Sequence, residues 1–165
     1  MPHGHFMRGT RLDYLLVIGL LIILVIVIAL AVNPVRSLSL ARDSQRSDDV
    51  RQIMTSILTL SQQKSDKYDA LLRRLKANEG EKYLLGTGSS CAGDWGRFCP
   101  TEQIADNCLP PEEIFPTAED APTDPSHSLF GSFGTGYYVT AHDDMIEVGS
   151  CGADTGIIQL ETFAP

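Results

Sequence analysis

The sequence predicts an α+β protein: a long N-terminal helix, membrane-spanning in its first half and amphipathic in its second, packed on a small antiparallel sheet. Three observations carry this expectation. An uncharged apolar run fills residues 14–32, apolar residues recur at helical spacing from Val50 to Leu75, and the last third alternates with aromatic and β-branched residues. All four cysteines (Cys91, Cys99, Cys108 and Cys151) fall in the C-terminal half, so that half is expected to be a loop-rich, disulfide-bonded head. A length of 165 residues suits one soluble domain with an appendage better than two full domains. The expected divisions are a short cytoplasmic leader (1–13), a transmembrane helix (14–35), an amphipathic helical region (36–82) and an acidic extracytoplasmic head (83–165).

The first element rests on length and polarity. Tyr14 to Val32 is a run of nineteen uncharged residues, nine of them Val or Ile. As a helix rising ~1.5 Å per residue it would span roughly 28 Å, the thickness of a bilayer's hydrocarbon layer. In water so many β-branched residues would favour strands. In lipid, a lone span must satisfy its backbone internally and is therefore helical. A cleaved secretory signal competes with this reading, since Arg8 and Arg11 could form its basic region and Ala29-Leu30-Ala31 a cleavage site. Both readings place everything after residue 35 outside the cytoplasm. Asn33-Pro34 should perturb the helix where the bilayer ends.

Charge then separates three regions. Residues 1–35 carry +1, residues 36–82 carry +3, and residues 83–165 carry −12 with Arg97 as their only basic residue, which together give −8. A head that acidic cannot neutralise phosphates, which excludes nucleic-acid binding through it. No repeat at solenoid spacing occurs.

Between Arg36 and Asp49 charges of both signs interleave without an apolar stripe, a pattern expected for a solvated helix or one standing between partners. From Val50 an apolar face appears through Ile53, Met54 and Ile57, and it resumes at Tyr68, Leu71, Leu72 and Leu75. Asp66 is the expected N-cap of the second piece, and Gly80 after Asn78 its stop. Residues 83–130 read mostly as loop. Tyr137–Ala141, Met145–Val148 and Gly156–Thr162 read as three strands of a meander, with His142-Asp143-Asp144 as a turn.

Four cysteines outside the cytoplasm are expected to pair, and their intervals fit no zinc site. Three connectivities exist. Loop length favours Cys91–Cys99 with Cys108–Cys151, although spacing alone does not choose. Five acids between Glu112 and Asp124 would suit calcium, but they lack EF-hand spacing, and a solvated acidic loop is the simpler reading. His3 and His5 fit a disordered tail, Trp95 a loop anchor. There is no nucleophile elbow and no phosphate cradle, so neither an enzyme nor a cofactor is expected.

The leader, apolar run, helix and acidic αβ head together resemble a type IV pilin or a type II secretion pseudopilin. The resemblance is carried by Leu12-Asp13-Tyr14-Leu15-Leu16 opening the run and Ala31-Val32-Asn33-Pro34-Val35-Arg36 closing it. It continues through residues 41–53, and more loosely through Pro122-Thr123-Asp124-Pro125 and Gly134-Thr135-Gly136-Tyr137-Tyr138-Val139. It implies a bacterial prepilin-like subunit, leader removal by a prepilin peptidase, methylation of the new N-terminus, and polymerisation with other pilin-like subunits. Arg8, Gly9 and Thr10 would form the processing context. Cleavage after Gly9 makes Tyr14 the fifth residue, where the family has Glu; alignment on Asn33-Pro34 instead gives Asp13 the acidic role, with Arg8 where the family has Gly. Asp13 would then be the filament-assembly residue, paired with a neighbour's N-terminal ammonium. An anchored binding domain that does not polymerise and a secreted domain after signal cleavage are the other functional classes.

Overall fold

The computed structural model describes residues 9–31, 34–87, 91, 99, 104–126, 134–153 and 158–163, with side chains of the first helix described from Asp13 to Ile28. The chain is α+β and divides into two units between Leu38 and Ser39. Helix α1 (Gly9–Ala31) makes up most of the first. Helix α2 (Pro34–Gln62) begins with proline, whose missing N–H costs nothing in a first turn.

In the second unit, α2 ends where Lys64 takes a positive φ of 48°, and α3 (Asp66–Ala77) follows. The N-cap of α3 is Ser65 rather than Asp66: the Ser65 hydroxyl accepts the Tyr68 N–H, and Asp66 becomes the first helical residue, near the positive end of the helix dipole. The helix ends at Asn78. Gly80, at φ 87°, then donates its N–H to the Ala141 carbonyl at 2.9 Å.

The sheet has four antiparallel strands in the order β1 (Tyr83–Gly86), β2 (Gly134–His142), β3 (Met145–Ser150) and β4 (Gln159–Phe163). The expected meander of three is present as β2 to β4, with Asp143 at φ 53° in the β2–β3 turn. The first strand lies in a region expected to be loop. Its four residues, Tyr-Leu-Leu-Gly, are too few to show alternation, and all are buried. Beyond β1, residues 104–109 run parallel to it through the Lys82–Ile104 and Leu85–Leu109 bridges and close that edge.

Both sheet faces are covered, and alternation sorts the residues between them. Tyr83, Leu85, Tyr137, Val139, Ala141, Ile146 and Val148 pack with Val50, Ile53 and Ile57 of α2 and Leu71 and Leu75 of α3. Leu84 and Tyr138 point the other way and pack with all four cysteines and Ile104. The disulfides are Cys91–Cys108 and Cys99–Cys151, which corrects the pairing favoured by loop length. The reason is the return of residues 104–109 alongside β1. Leu109 donates to Leu84 at 2.8 Å and Cys91 to Asp106 at 2.9 Å, so Cys108 rather than Cys99 lies beside Cys91.

The cysteine layer yields two expectations. The native protein should titrate no free thiol, and replacing Cys99 and Cys151 together by Ala should lower the unfolding free energy by ~2–4 kcal/mol in denaturant titration. Gly149 lies directly under the Tyr138 ring, where an added Cβ would collide with it. Gly149→Ala should therefore cost ~1–3 kcal/mol by the same measurement, a penalty of overpacking.

Candidate functional site

Two constellations stand apart from ordinary core packing. The first is a buried ionic cluster on α2. The inward stripe of α2 does not begin at Val50 but continues toward the N-terminus through Arg46 and Asp43, which are 1% and 7% exposed. The segment Arg36–Asp49, expected to be a solvated polar helix, therefore buries two of its charges. The Arg46 guanidinium meets Asp124 through Nε–Oδ2 at 2.7 Å and Nη2–Oδ1 at 3.1 Å, a bidentate pair. Its Nη1 donates to Asp43 at 2.7 Å, and Nη2 donates also to the Ser126 hydroxyl at 2.9 Å. Asp124 in turn accepts the Ser126 N–H at 2.6 Å.

One turn further along α2, Asp49 accepts the Tyr137 hydroxyl at 2.5 Å, tying α2 to β2. Burial raises the Asp49 pKa above its ordinary 3.8; the Tyr137 hydrogen bond opposes this, while Asp124 and Asp48 add to it. Burial and the Asp49 hydrogen bond also raise the Tyr137 phenol far above its ordinary 10, so it remains a donor. A similar contact joins the Tyr138 hydroxyl to Glu147 at 2.8 Å, with the Lys82 ammonium 4.3 Å from the Tyr138 ring centre. These networks hold secondary-structure elements together. They align no nucleophile with a base.

The acids of 112–124 are used separately. Glu113 pairs with Arg74, Asp120 closes a capping box with Thr117, and Asp124 holds Arg46. Among the described residues, no three His, Cys, Asp or Glu are grouped to hold a metal ion. His142 ends β2, exposed, with Asp143 and Asp144 in the adjoining turn. His3, His5, Arg8 and Trp95 lie outside the described residues. Gly9 and Thr10 open α1.

The second constellation is α1 itself. Each large apolar side chain from Tyr14 to Ile28 is more than half exposed, between 51% at Ile26 and 70% at Tyr14. Asp13 sits exposed at the head of this surface. Continuous exposed apolar surface is a general mark of an interaction site. Among the described residues no helix is long and apolar enough to cross a membrane. The helical backbone of α1 extends over 23 residues.

No protein-family model, curated protein or solved structure matches the chain. The class that can be assigned is therefore structural: an α+β protein with a four-stranded antiparallel sheet and two disulfides, preceded by an exposed apolar helix.

The ionic cluster gives two expectations. Arg46→Ala leaves Asp124 buried without its cation and should cost ~3–5 kcal/mol in denaturant unfolding, whereas Arg51→Ala, whose pairing with Asp48 is solvent-exposed, should cost under ~1. For Asp49 the sign follows from its raised pKa: between the unfolded and folded values the native state binds more protons, so its contribution improves as pH falls. The melting temperature of wild type relative to Asp49→Asn should therefore rise as pH is lowered from neutrality toward the ordinary carboxylate value of 3.8, the Asn variant cancelling the other carboxylates.

Proposed function

We propose that the chain is a structural subunit of a type IV pilus or pseudopilus, inserted by its N-terminal helix and polymerising through it. The observation that carries this reading is the exposure of α1's apolar surface around its full circumference, joined in sequence to a folded, disulfide-bonded head. A helix apolar on all sides is stable in lipid, and it can leave lipid only where similar helices replace the lipid around it. Stacked copies of one helix do so. The remaining support is the sequence likeness to pilin-like proteins over residues 8–60.

On this reading α1 spans the cytoplasmic membrane once, with residues 14–35 in or near the bilayer and the head outside. Two disulfides suit an oxidising compartment. The partners are membrane lipid, other pilin-like subunits and a prepilin peptidase acting near Arg8, Gly9 and Thr10. Asp13 would be costly to bury between helices unless it met a positive group, which gives it an assembly role. The head contributes surface rather than catalysis, and its acidity disfavours nucleic acid as a partner.

Two measurements test the proposal. Mass spectrometry of the mature chain should place its N-terminus at residue 9 or 10; Met1 would favour a non-polymerising anchored domain, and Val32 a secreted one. Shear-released filaments should contain the wild-type chain, with Asp13→Asn incorporated at least a hundredfold less at equal expression, the effect of removing one partner from a buried pair costing ~3–5 kcal/mol. Equal incorporation of Asp13→Asn would reject the assembly role of Asp13.

A further inference from the structure

The two edges of the sheet are finished differently. Beyond β1 the chain doubles back, and residues 104–109 close that edge through the Lys82–Ile104 and Leu85–Leu109 bridges. Beyond β4, among the described residues, nothing pairs with the backbone. One bond fixes the direction of its free groups. Ser150 donates its N–H to the Ile158 carbonyl at 3.0 Å, and the β3–β4 register runs unbroken from Gly149–Gln159 to Met145–Phe163. Antiparallel pairing alternates, so Ile158, Leu160 and Thr162 turn their backbone groups toward β3. Those of Gln159, Glu161 and Phe163 turn outward.

Open edges are commonly blunted by lysine, proline or a bulge. The strand Gln-Leu-Glu-Thr-Phe has none of these. Its one charge is the exposed Glu161, which stands directly opposite Glu147 in the ladder, a placement that disfavours like charges. Glu147 is answered within the chain, by the Tyr138 hydroxyl at 2.8 Å and the Lys82 ammonium at 3.9 Å. Among the described residues no cation is paired with Glu161. On the helix-side face, the adjoining row Val139–Val148–Leu160 is apolar and ends at the partly buried Leu160.

We infer that β4 is the docking edge for an extended segment of another protein, which adds a fifth strand with a basic residue opposite Glu161 and an apolar residue opposite Leu160. The outward backbone groups supply the attachment, and the two side-chain rows supply the selectivity. Charge decides against a second copy as the occupant. Two copies of β4 set edge to edge would bring the same acid from both strands, in a region of each chain, residues 83–165, that already carries −12. A cationic strand gains from that charge what a second copy loses to it. Docking at β4 is independent of assembly through α1.

Binding of a fluorescein-labelled peptide to the full chain in non-ionic detergent tests this, read by fluorescence anisotropy. The probe, acetyl-Thr-Val-Lys-Val-Thr-amide, sets its lysine opposite Glu161 and its valines opposite Leu160 and Thr162. It should bind saturably, and several-fold more weakly when glutamate replaces the lysine. Glu161→Lys should reverse that preference. Asp143→Asn, which removes an exposed acid of the β2–β3 turn, should leave it unchanged. N-methylation of the peptide's lysine, whose N–H faces β4, should abolish binding, whereas N-methylation of a valine, whose N–H faces away, should not. Equal loss from the two modifications would overturn strand addition. An unaltered preference in Glu161→Lys would overturn the role of Glu161, and absence of saturable binding would overturn the docking edge. So would abundant Leu160→Cys disulfide dimers on mild oxidation, which would assign the edge to a second copy, since the native cysteines are already paired.

Discussion

One buried cation organises the head. Arg46 is 1% exposed and donates hydrogen bonds to Asp43, Asp124 and Ser126, so helix α2 and the segment 124–126, distant in sequence, are joined through a single guanidinium. The segment 121–126 is held on the helix side by Ala121, which joins the apolar core with Val50 and Ile53, and by the ionic contact at Asp124. The ionic contact is directional in a way that apolar contact is not. Backbone pairing then follows: Asp124 donates its N–H to the Thr135 carbonyl at 2.8 Å, just inside β2, and the Thr135 hydroxyl donates to Leu85 on β1. The position of α2 against the sheet, the start of β2 and the end of β1 are thereby coupled to one side chain. The Tyr137–Asp49 bond reinforces the same junction one turn along the helix.

Much of this architecture was legible in the residues, and where it was not the reasons are physical. Period 3.6 marked Val50, Ile53, Ile57, Leu71 and Leu75 because those residues are buried by hydrophobicity, which hydropathy measures. Asp43 and Arg46 occupy the same stripe by pairing, which hydropathy does not measure. The spacing Asp43, Arg46, Val50, Ile53, Ile57 does show it, once charged residues are allowed into the pattern. Strand β1 escaped notice because four residues cannot display alternation when both faces are covered. The disulfide pairing depends on residues 104–109 doubling back beside β1, a non-local event that cysteine spacing cannot report.

The two units of the chain solve different problems. In the head, apolar residues find partners within the chain, on two sides of one sheet; the buried Arg46, Asp124 and Tyr138 carry polar partners with them, whereas the buried Tyr68 and Thr140 hydroxyls do not. In α1 each large apolar side chain from Tyr14 to Ile28 is more than half exposed. The first arrangement defines a stable shape by itself, and the second defines a surface whose stability is supplied by whatever surrounds it. On the proposed reading, that division is the one between an anchor and a displayed head.

The cysteine layer also separates the head by chemistry. Cys91, Cys99, Cys108 and Cys151 lie on the sheet face away from the helices, with Leu84 and Tyr138. Neither bridge reaches α2 or α3, so a reducing agent acts on one face of the sheet alone. The Arg46 cluster and the helix-side core hold no sulfur–sulfur bond and keep their contacts.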